Sequence, residues 1–154
     1  MVRPVTLAVL VIISFHAFGQ ADIAKRKRNF NTVNNVALKE FDPVSYFQGK
    51  PLKGTSKIEY NHEGIYYYFA NEANREEFKK NPDKYEPMYG GWCAYTLATS
   101  GERVKIQPTS YKVSGNKLYL FYNFSNDNRM VKWTPGEEKK LKAAADKAWV
   151  RTMH

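Results

Sequence analysis

A predominantly apolar stretch from Val5 to Phe18 separates the start of the chain from everything that follows. It comes after a basic residue, Arg3, and small residues stand at Ala17 and Gly19, the two positions that a signal peptidase recognises. The stretch is also shorter than the roughly twenty residues that a membrane-spanning helix needs. We therefore expect residues 1–19 to be a signal peptide, no stable membrane span after cleavage, and export to the bacterial periplasm or the extracellular space.

The segment after this stretch is basic and polar. Residues 20–35 have no sustained hydrophobic period, and we expect them to form a flexible leader ahead of a single domain over residues 36–150. Lys25-Arg26-Lys27-Arg28 in this leader supports one alternative, in which an uncleaved apolar stretch keeps the basic residues in the cytoplasm.

The formal charge of +9 raises the question of a nucleic-acid partner. The excess lies at the two ends, since residues 20–28 hold four basic and one acidic residue and residues 129–154 hold seven basic and three acidic ones. A solvated leader and the outer face of a helix account for this distribution. We expect no specific nucleic-acid binding.

Cys93 is the only cysteine, so no disulfide can form within the chain. An exported domain of this size then depends on packing for its stability. The 11 Tyr, 9 Phe and 3 Trp residues supply large side chains for a core.

Hydrophobic periods and turn residues predict an α+β fold. Two β-hairpins turn at Glu63-Gly64 and at Ser114-Gly115-Asn116 and form a small antiparallel sheet, which packs against several short helices and a C-terminal helix. The sequence also predicts a short helix starting at Asp42-Pro43 and a helix from Asn71 to about Lys80, followed by a turn over 83–86.

Two more helices are predicted in the second half of the chain. One is a buried helix over 89–98 that ends at Gly101. The other starts at a Thr134–Glu137 capping box and runs to about Trp149, with Leu141, Ala145 and Ala148 facing inward.

Several of these segments together resemble the YHS-domain family, in particular its exported, single-domain bacterial members. The resemblance covers roughly residues 37–149, and the motifs that carry it are Asp42-Pro43-Val44 with Tyr46-Phe47, Tyr60-x-His62-x-Gly64 with Tyr67-Tyr68-Phe69, Asn74-Arg75 with Phe78, Asn81-Pro82-x-Lys84-Tyr85, and Tyr89-Gly90-Gly91-Trp92-Cys93-Ala94-Tyr95. The exported branch of this family has no settled activity, so the resemblance implies the fold and export more than a function. Its metal-handling branches have cysteines at three positions where this chain has Ser45, Ala70 and Asn74, so their thiolate site is absent here.

The remaining candidate ligands are few. His62 is the only histidine inside the predicted domain and Cys93 the only thiol, too few for a closed structural zinc site. A soft ion needs fewer ligands, and Met88 lies five residues before Cys93. We therefore expect a copper or other soft metal site at Cys93, His62 and Met88, with haem held by Cys93 or His62 as a lesser alternative.

Three interpretations of Cys93 stay open. Gly90 and Gly91 would place its thiol in the first turn of a helix, where unpaired amides favour a thiolate, a bound anion or an oxyanion. The same thiol, flanked by Trp92 and Tyr95, also suits an inert core position. We favour a binding module for a metal ion or small ligand; a structural module with an envelope protein as partner, and a thiol enzyme using Cys93 with His62 as base, are the alternatives.

The other candidate site residues are polar, aromatic or glycine residues of the same motifs. They are Asp42, Tyr46, Tyr68, Gly90, Gly91 and Tyr95. Asp42 suits a helix cap or a carboxylate that orients an imidazole, and alternate tyrosine hydroxyls around Tyr68 would line a pocket.

Overall fold

Two β-hairpins with tight turns form the main sheets of the molecule, which is described by a computed structural model over residues 19–20 and 22–154. The first pairs β3 (Thr55–His62) antiparallel with β4 (Ile65–Phe69). At its turn Glu63 and Gly64 have φ of 47° and 86°, the left-handed backbone that a two-residue hairpin turn requires. The predicted hairpin is confirmed.

This hairpin belongs to a four-stranded sheet with the order β1-β2-β4-β3. The short strands β1 (Thr32–Val33) and β2 (Val36–Ala37) pair antiparallel with each other, and β2 runs parallel to β4. Along β4, burial alternates between the two faces of the sheet. The inward side chains are Ile65, Tyr67 and Phe69, whereas Tyr66 and Tyr68 lie half-buried on the other face.

The second hairpin forms a separate two-stranded sheet. It joins β5 (Gln107–Ser114) to β6 (Lys117–Phe121) through Gly115 and Asn116, both with positive φ. Because Leu118 to Phe121 are all buried, β6 is covered on both faces. A further pair of two-residue strands, β7 (Asn123–Phe124) and β8 (Asp127–Asn128), follows.

The described residues form five α-helices besides the sheets. They are α1 (residues 22–29), α2 (Glu72–Lys80), α3 (Pro82–Tyr85), α4 (Ala94–Ser100) and α5 (Glu138–Met153). Single 3₁₀ turns occur at Leu38–Glu40, Ser45–Gln48, Met88–Gly91 and Arg129–Lys132. Among the described residues, no helix has the length and apolar character needed to cross a bilayer.

The α+β fold class is confirmed, with the two hairpins in separate sheets rather than one. Asn71 caps α2, Gly101 ends α4 in the left-handed conformation, and Leu141, Ala145 and Ala148 are the buried face of α5, as predicted. The predicted signal peptide lies almost wholly outside the described residues.

Three local expectations differ from the structure. Residues 22–29 are helical and Thr32–Val33 form a strand, where we expected a flexible leader over residues 20–35. The buried helix begins only at Ala94, because Tyr89, Gly90 and Gly91 adopt positive φ and Trp92 is extended. The capping box at Thr134 is wrong, since α5 begins at Glu138 without a side-chain cap.

Candidate functional site

Cys93 is sealed inside the core. It is 0% exposed, precedes the first residue of α4, and its backbone amide donates to the carbonyl oxygen of Val104. Its Sγ accepts a hydrogen bond of 3.3 Å from the hydroxyl of Thr96, and its backbone lies beside Leu120 of β6. These contacts support the inert interpretation of the thiol.

A single guanidinium lies next to this thiol. Arg129 donates to the Thr96 hydroxyl, which in turn donates to Cys93. The hydrogen bond that Arg129 donates to Asp127 raises the pKa of the guanidinium. The same contact, 2.9 Å long, is an ion pair, and Asp127 forms a second one with Lys132 at 3.1 Å.

The other candidate residues near Cys93 in the sequence also have packing roles. Gly90 and Gly91 are buried with positive φ, and a Cβ on Gly90 would meet the rings of Trp149 and Phe30 at 2.8–2.9 Å. Met88 packs half-buried against the core. Tyr95 is half-buried under the ammonium of Lys132, 5.8 Å from its ring centroid.

Tyr46 is a core residue. It is 1% exposed, its hydroxyl donates to the carbonyl oxygen of Pro108 at 3.0 Å, and its ring packs edge-on against Tyr111. Burial raises the pKa of Tyr46 well above its usual range. Its hydroxyl therefore stays protonated and holds two distant parts of the chain together.

Asp42 is the centre of a buried hydrogen-bond network. Its Oδ1 accepts from the backbone amides of Val44 and Ser45 at 2.8 and 3.3 Å, as a cap of the 3₁₀ turn would. Its Oδ2 accepts from the backbone amide of Ala70 at 2.9 Å and from the side-chain amide of Asn74 at 2.6 Å. Asp42 is 0% exposed, so this carboxylate connects the 3₁₀ turn, the end of β4 and α2 away from water.

Three residues that were singled out in the sequence, Ser45, Ala70 and Asn74, meet at this carboxylate. Ser45, Ala70 and Asn74 each donate a hydrogen bond to Asp42, although up to 29 residues of sequence separate them. The donors of this network are N–H groups, which do not bind metal ions. The cluster is built for holding the fold together.

Tyr68 faces a cleft of about 520 Å³ on the outer side of the four-stranded sheet. Tyr66 stands beside it, and charged groups of both signs line the rim, among them Lys39, Lys53 and Glu59. The expectation that alternate tyrosines would line a pocket therefore agrees with the placement of Tyr66 and Tyr68.

His62 lies at the end of β3 and belongs to a group of three ligand-type side chains. One ligand atom each from His62, Asp83 and Glu86 lies within 4.8 Å of the others; we call these residues the triad. The His62 ring packs against Tyr60 and Phe78, with ring centroids 6.5 and 6.1 Å apart. Among the described residues, this is the one such group, and Cys93 is not part of it.

Local structure explains how Asp83 and Glu86 reach His62. Asn81 caps α3 through the backbone amide of Lys84, and Pro82 occupies its first turn. Asp83 lies in α3, and Glu86 follows the helix directly as its C-cap, where its backbone amide donates to the carbonyl oxygen of Pro82. The short helix therefore keeps the two carboxylates close to each other. From the sequence we expected only a turn over 83–86, and the short spacing of the two carboxylates was the available signal.

Glu86 is held firmly from the domain side. Its Oε1 accepts hydrogen bonds of 2.6 Å from both the Tyr67 hydroxyl and the Arg26 guanidinium. Burial, and then the negative charge of Glu86, raise the pKa of Tyr67 well above its usual range, so Tyr67 stays a donor. Tyr67 and Arg26 both donate to Oε1, which leaves Oε2 on the same carboxylate for another partner.

No protein-family model, no curated protein and no solved structure matches this chain. The functional conclusion therefore depends on the side chains of the site.

Proposed function

We propose that this chain is a binding module of the YHS type that holds one divalent metal ion at the triad. The observation that carries the proposal is the approach of one imidazole nitrogen and two carboxylate oxygens to within 4.8 Å of one another. Export to the cell envelope, argued from the apolar stretch at the start of the chain, is part of the same proposal.

The donor set decides the class of ion. Imidazole and carboxylate ligands suit Zn²⁺ and related divalent ions, whereas Cu(I) prefers sulfur, which the triad lacks. From the sequence we expected a soft metal ion at Cys93, His62 and Met88. The triad contains only His62 of these three, so we propose a harder ion there. Three protein ligands leave at least one position for water or a bound molecule.

The geometry requires only a small closure. Bonds of about 2.0–2.2 Å in a tetrahedral site place ligand atoms roughly 3.5 Å apart, so the triad would contract by about 1 Å. Asp83 is exposed and has room to move, while Tyr67 and Arg26 fix Glu86. The ammonium of Lys117 bonds the backbone carbonyl of Asp83 and leaves its carboxylate for the ion.

The Asp42 network supports the resemblance to the YHS family and explains the change of site. Positions 45, 70 and 74 lie together, as a set of metal ligands must, but here N–H groups and a buried carboxylate occupy them. His62, which belongs to a motif of the resemblance, becomes the residue around which a metal site is available.

Equilibrium dialysis of the full chain against Zn²⁺ tests the proposal. The chain is kept in a mild detergent because of its apolar Val5–Phe18 stretch. We expect one Zn²⁺ per wild-type chain, and an affinity at least about tenfold lower in His62→Ala and in Asp83→Asn, because each loses a ligand.

Two control variants separate the alternatives. Glu102→Gln removes an exposed carboxylate outside the triad and should bind Zn²⁺ as wild type does. Cys93→Ala should also bind normally; loss of binding there would favour the site expected from the sequence. Equal binding by wild type, His62→Ala and Asp83→Asn would refute the triad, and a protein that binds no metal would favour the structural interpretation.

A further inference from the structure

Glu86 takes part in two arrangements at once. It is a member of the triad, and it forms an ion pair of 2.6 Å with Arg26. The two side chains are only 14% and 12% exposed, so solvent and salt screen this pair weakly. A positive charge is therefore fixed directly beside the proposed metal position.

Arg26 links α1 to the rest of the molecule through polar contacts. Its guanidinium forms a second ion pair with Glu63, at 3.4 Å, and lies over the ring of Phe30 at 4.4 Å from the centroid. Phe30 in turn packs against Trp149 of α5, with ring centroids 5.9 Å apart.

The end of α1 has polar contacts of its own. The backbone carbonyl oxygen of Asn29 accepts a hydrogen bond of 2.6 Å from Trp92 Nε1, and its side-chain oxygen accepts one of 2.9 Å from Arg103. The docking of α1 around Arg26 therefore depends on the carboxylate that the triad also uses, whereas its end at Asn29 is held separately.

We propose that Arg26 and a divalent cation compete for Glu86, so that metal binding at the triad weakens the docking of α1. This inference rests on the proposed function. The Arg26 Nη2 atom lies 2.6 Å from Glu86 Oε1, which puts it within about 5 Å of an ion bonded to Oε1 and within about 7 Å of one bonded to Oε2. Two positive charges that close repel each other, and the ion also draws charge from the carboxylate that holds Arg26.

The coupling is reciprocal by thermodynamic necessity. If Arg26 lowers the affinity of the triad for metal, bound metal lowers the affinity of the domain for α1 by the same factor. Arg26 thereby sets the metal concentration at which the triad fills, and α1 responds to that filling.

The first test compares the Zn²⁺ affinity of full-length wild type, Arg26→Gln and Lys27→Gln. Arg26→Gln removes the competing charge, so we expect its affinity to rise at least about tenfold. Lys27→Gln removes the same charge from an exposed neighbour with no ion pair to a described residue, and its affinity should change less than about twofold. Circular dichroism of each variant reports whether the fold is kept.

The second test measures α1 directly and needs no change at Arg26. Trypsin cuts after Lys25 to Arg28 only when this helix is released, so saturating Zn²⁺ should speed cleavage there by about tenfold in wild type. Asp83→Asn, with its weakened triad, shows whether Zn²⁺ acts on trypsin itself. If wild type and Arg26→Gln bind Zn²⁺ with equal affinity, or if bound Zn²⁺ leaves the cleavage rate unchanged, the proposed competition is refuted and the metal site remains. If no variant binds Zn²⁺, the metal site itself is refuted.

Discussion

Substitution of Asp42 tests whether this residue only caps the 3₁₀ turn or also holds together a buried hydrogen-bond network. A cap that loses its side chain destabilises a protein by about 1 kcal/mol. Asp42→Ala would also strand the Ala70 backbone amide and the Asn74 side-chain amide, both in contact with a carboxylate that is 0% exposed. Each stranded buried donor costs about 1.5 kcal/mol, so we expect a total loss of about 4 kcal/mol.

Urea denaturation followed by circular dichroism measures this loss. With a dependence of about 2 kcal/mol per molar urea, the midpoint should fall by about 2 M. Asp42→Asn keeps the acceptor for Val44 and Ser45 but points an NH₂ group at two donors, so it should lose roughly half as much. Asn71→Ala is the matched control, because Asn71 is an exposed cap with one hydrogen bond, to the amide of Asn74.

The opposite result would be that Asp42→Ala lowers the free energy of unfolding no more than Asn71→Ala does. Asp42 would then be a cap of the 3₁₀ turn and nothing else. In that case the bonds to Ala70 and Asn74 would add no net stability, and the meeting of these positions would carry no weight for the YHS resemblance.

Two further predictions concern buried groups. Cys93 should react with a thiol reagent in the native protein only at the rate of unfolding, because the residue is 0% exposed; rapid labelling under native conditions would contradict its burial. Stability should fall as pH rises above the ordinary tyrosine pKa of 10.0, since the raised pKa values of Tyr46, Tyr67 and Tyr89 leave the unfolded chain to ionise first. Urea midpoints that stay constant between pH 9 and the onset of alkaline unfolding would refute the second expectation.

Elements specified by local chemistry were predictable. Glu63-Gly64 permits only a tight turn between two β-rich runs, and Asn71 and Gly101 cap helices by general rules. The spacing of apolar residues along α5 can be read from the sequence of the helix alone, so its buried face was predictable.

Elements specified by distant contacts were not predictable. Residues 22–29 are polar and lack an amphipathic period, and their helix depends on Arg26 meeting Glu63 and Glu86 far along the chain. The segment 89–98 is almost wholly apolar, which favoured one buried helix, but the left-handed backbone at Gly90 and Gly91 delays the helix to Ala94. In that segment the conformational freedom of glycine outweighed the apolar pattern.

The same distinction between local chemistry and distant contacts applies to the candidate site. His62 stood out because it is the only imidazole of the domain, which composition alone reveals. Its partners did not, because carboxylates are common on surfaces and only the fold brings Asp83 and Glu86 to the end of β3.

Arg26 and a metal ion at the triad would share the carboxylate of Glu86, and this bears on how the triad would work. If Glu86 served the triad alone, Arg26 would be a needless penalty on metal affinity; if it served α1 alone, the nearness of His62 and Asp83 would have no consequence. The buried Tyr67 hydroxyl stabilises Glu86 in either role, since it donates to the carboxylate whichever cation is present. The arrangement therefore holds Glu86 in place, and in our proposal the metal concentration sets how strongly Arg26 binds to it, as a shift between two states of one site.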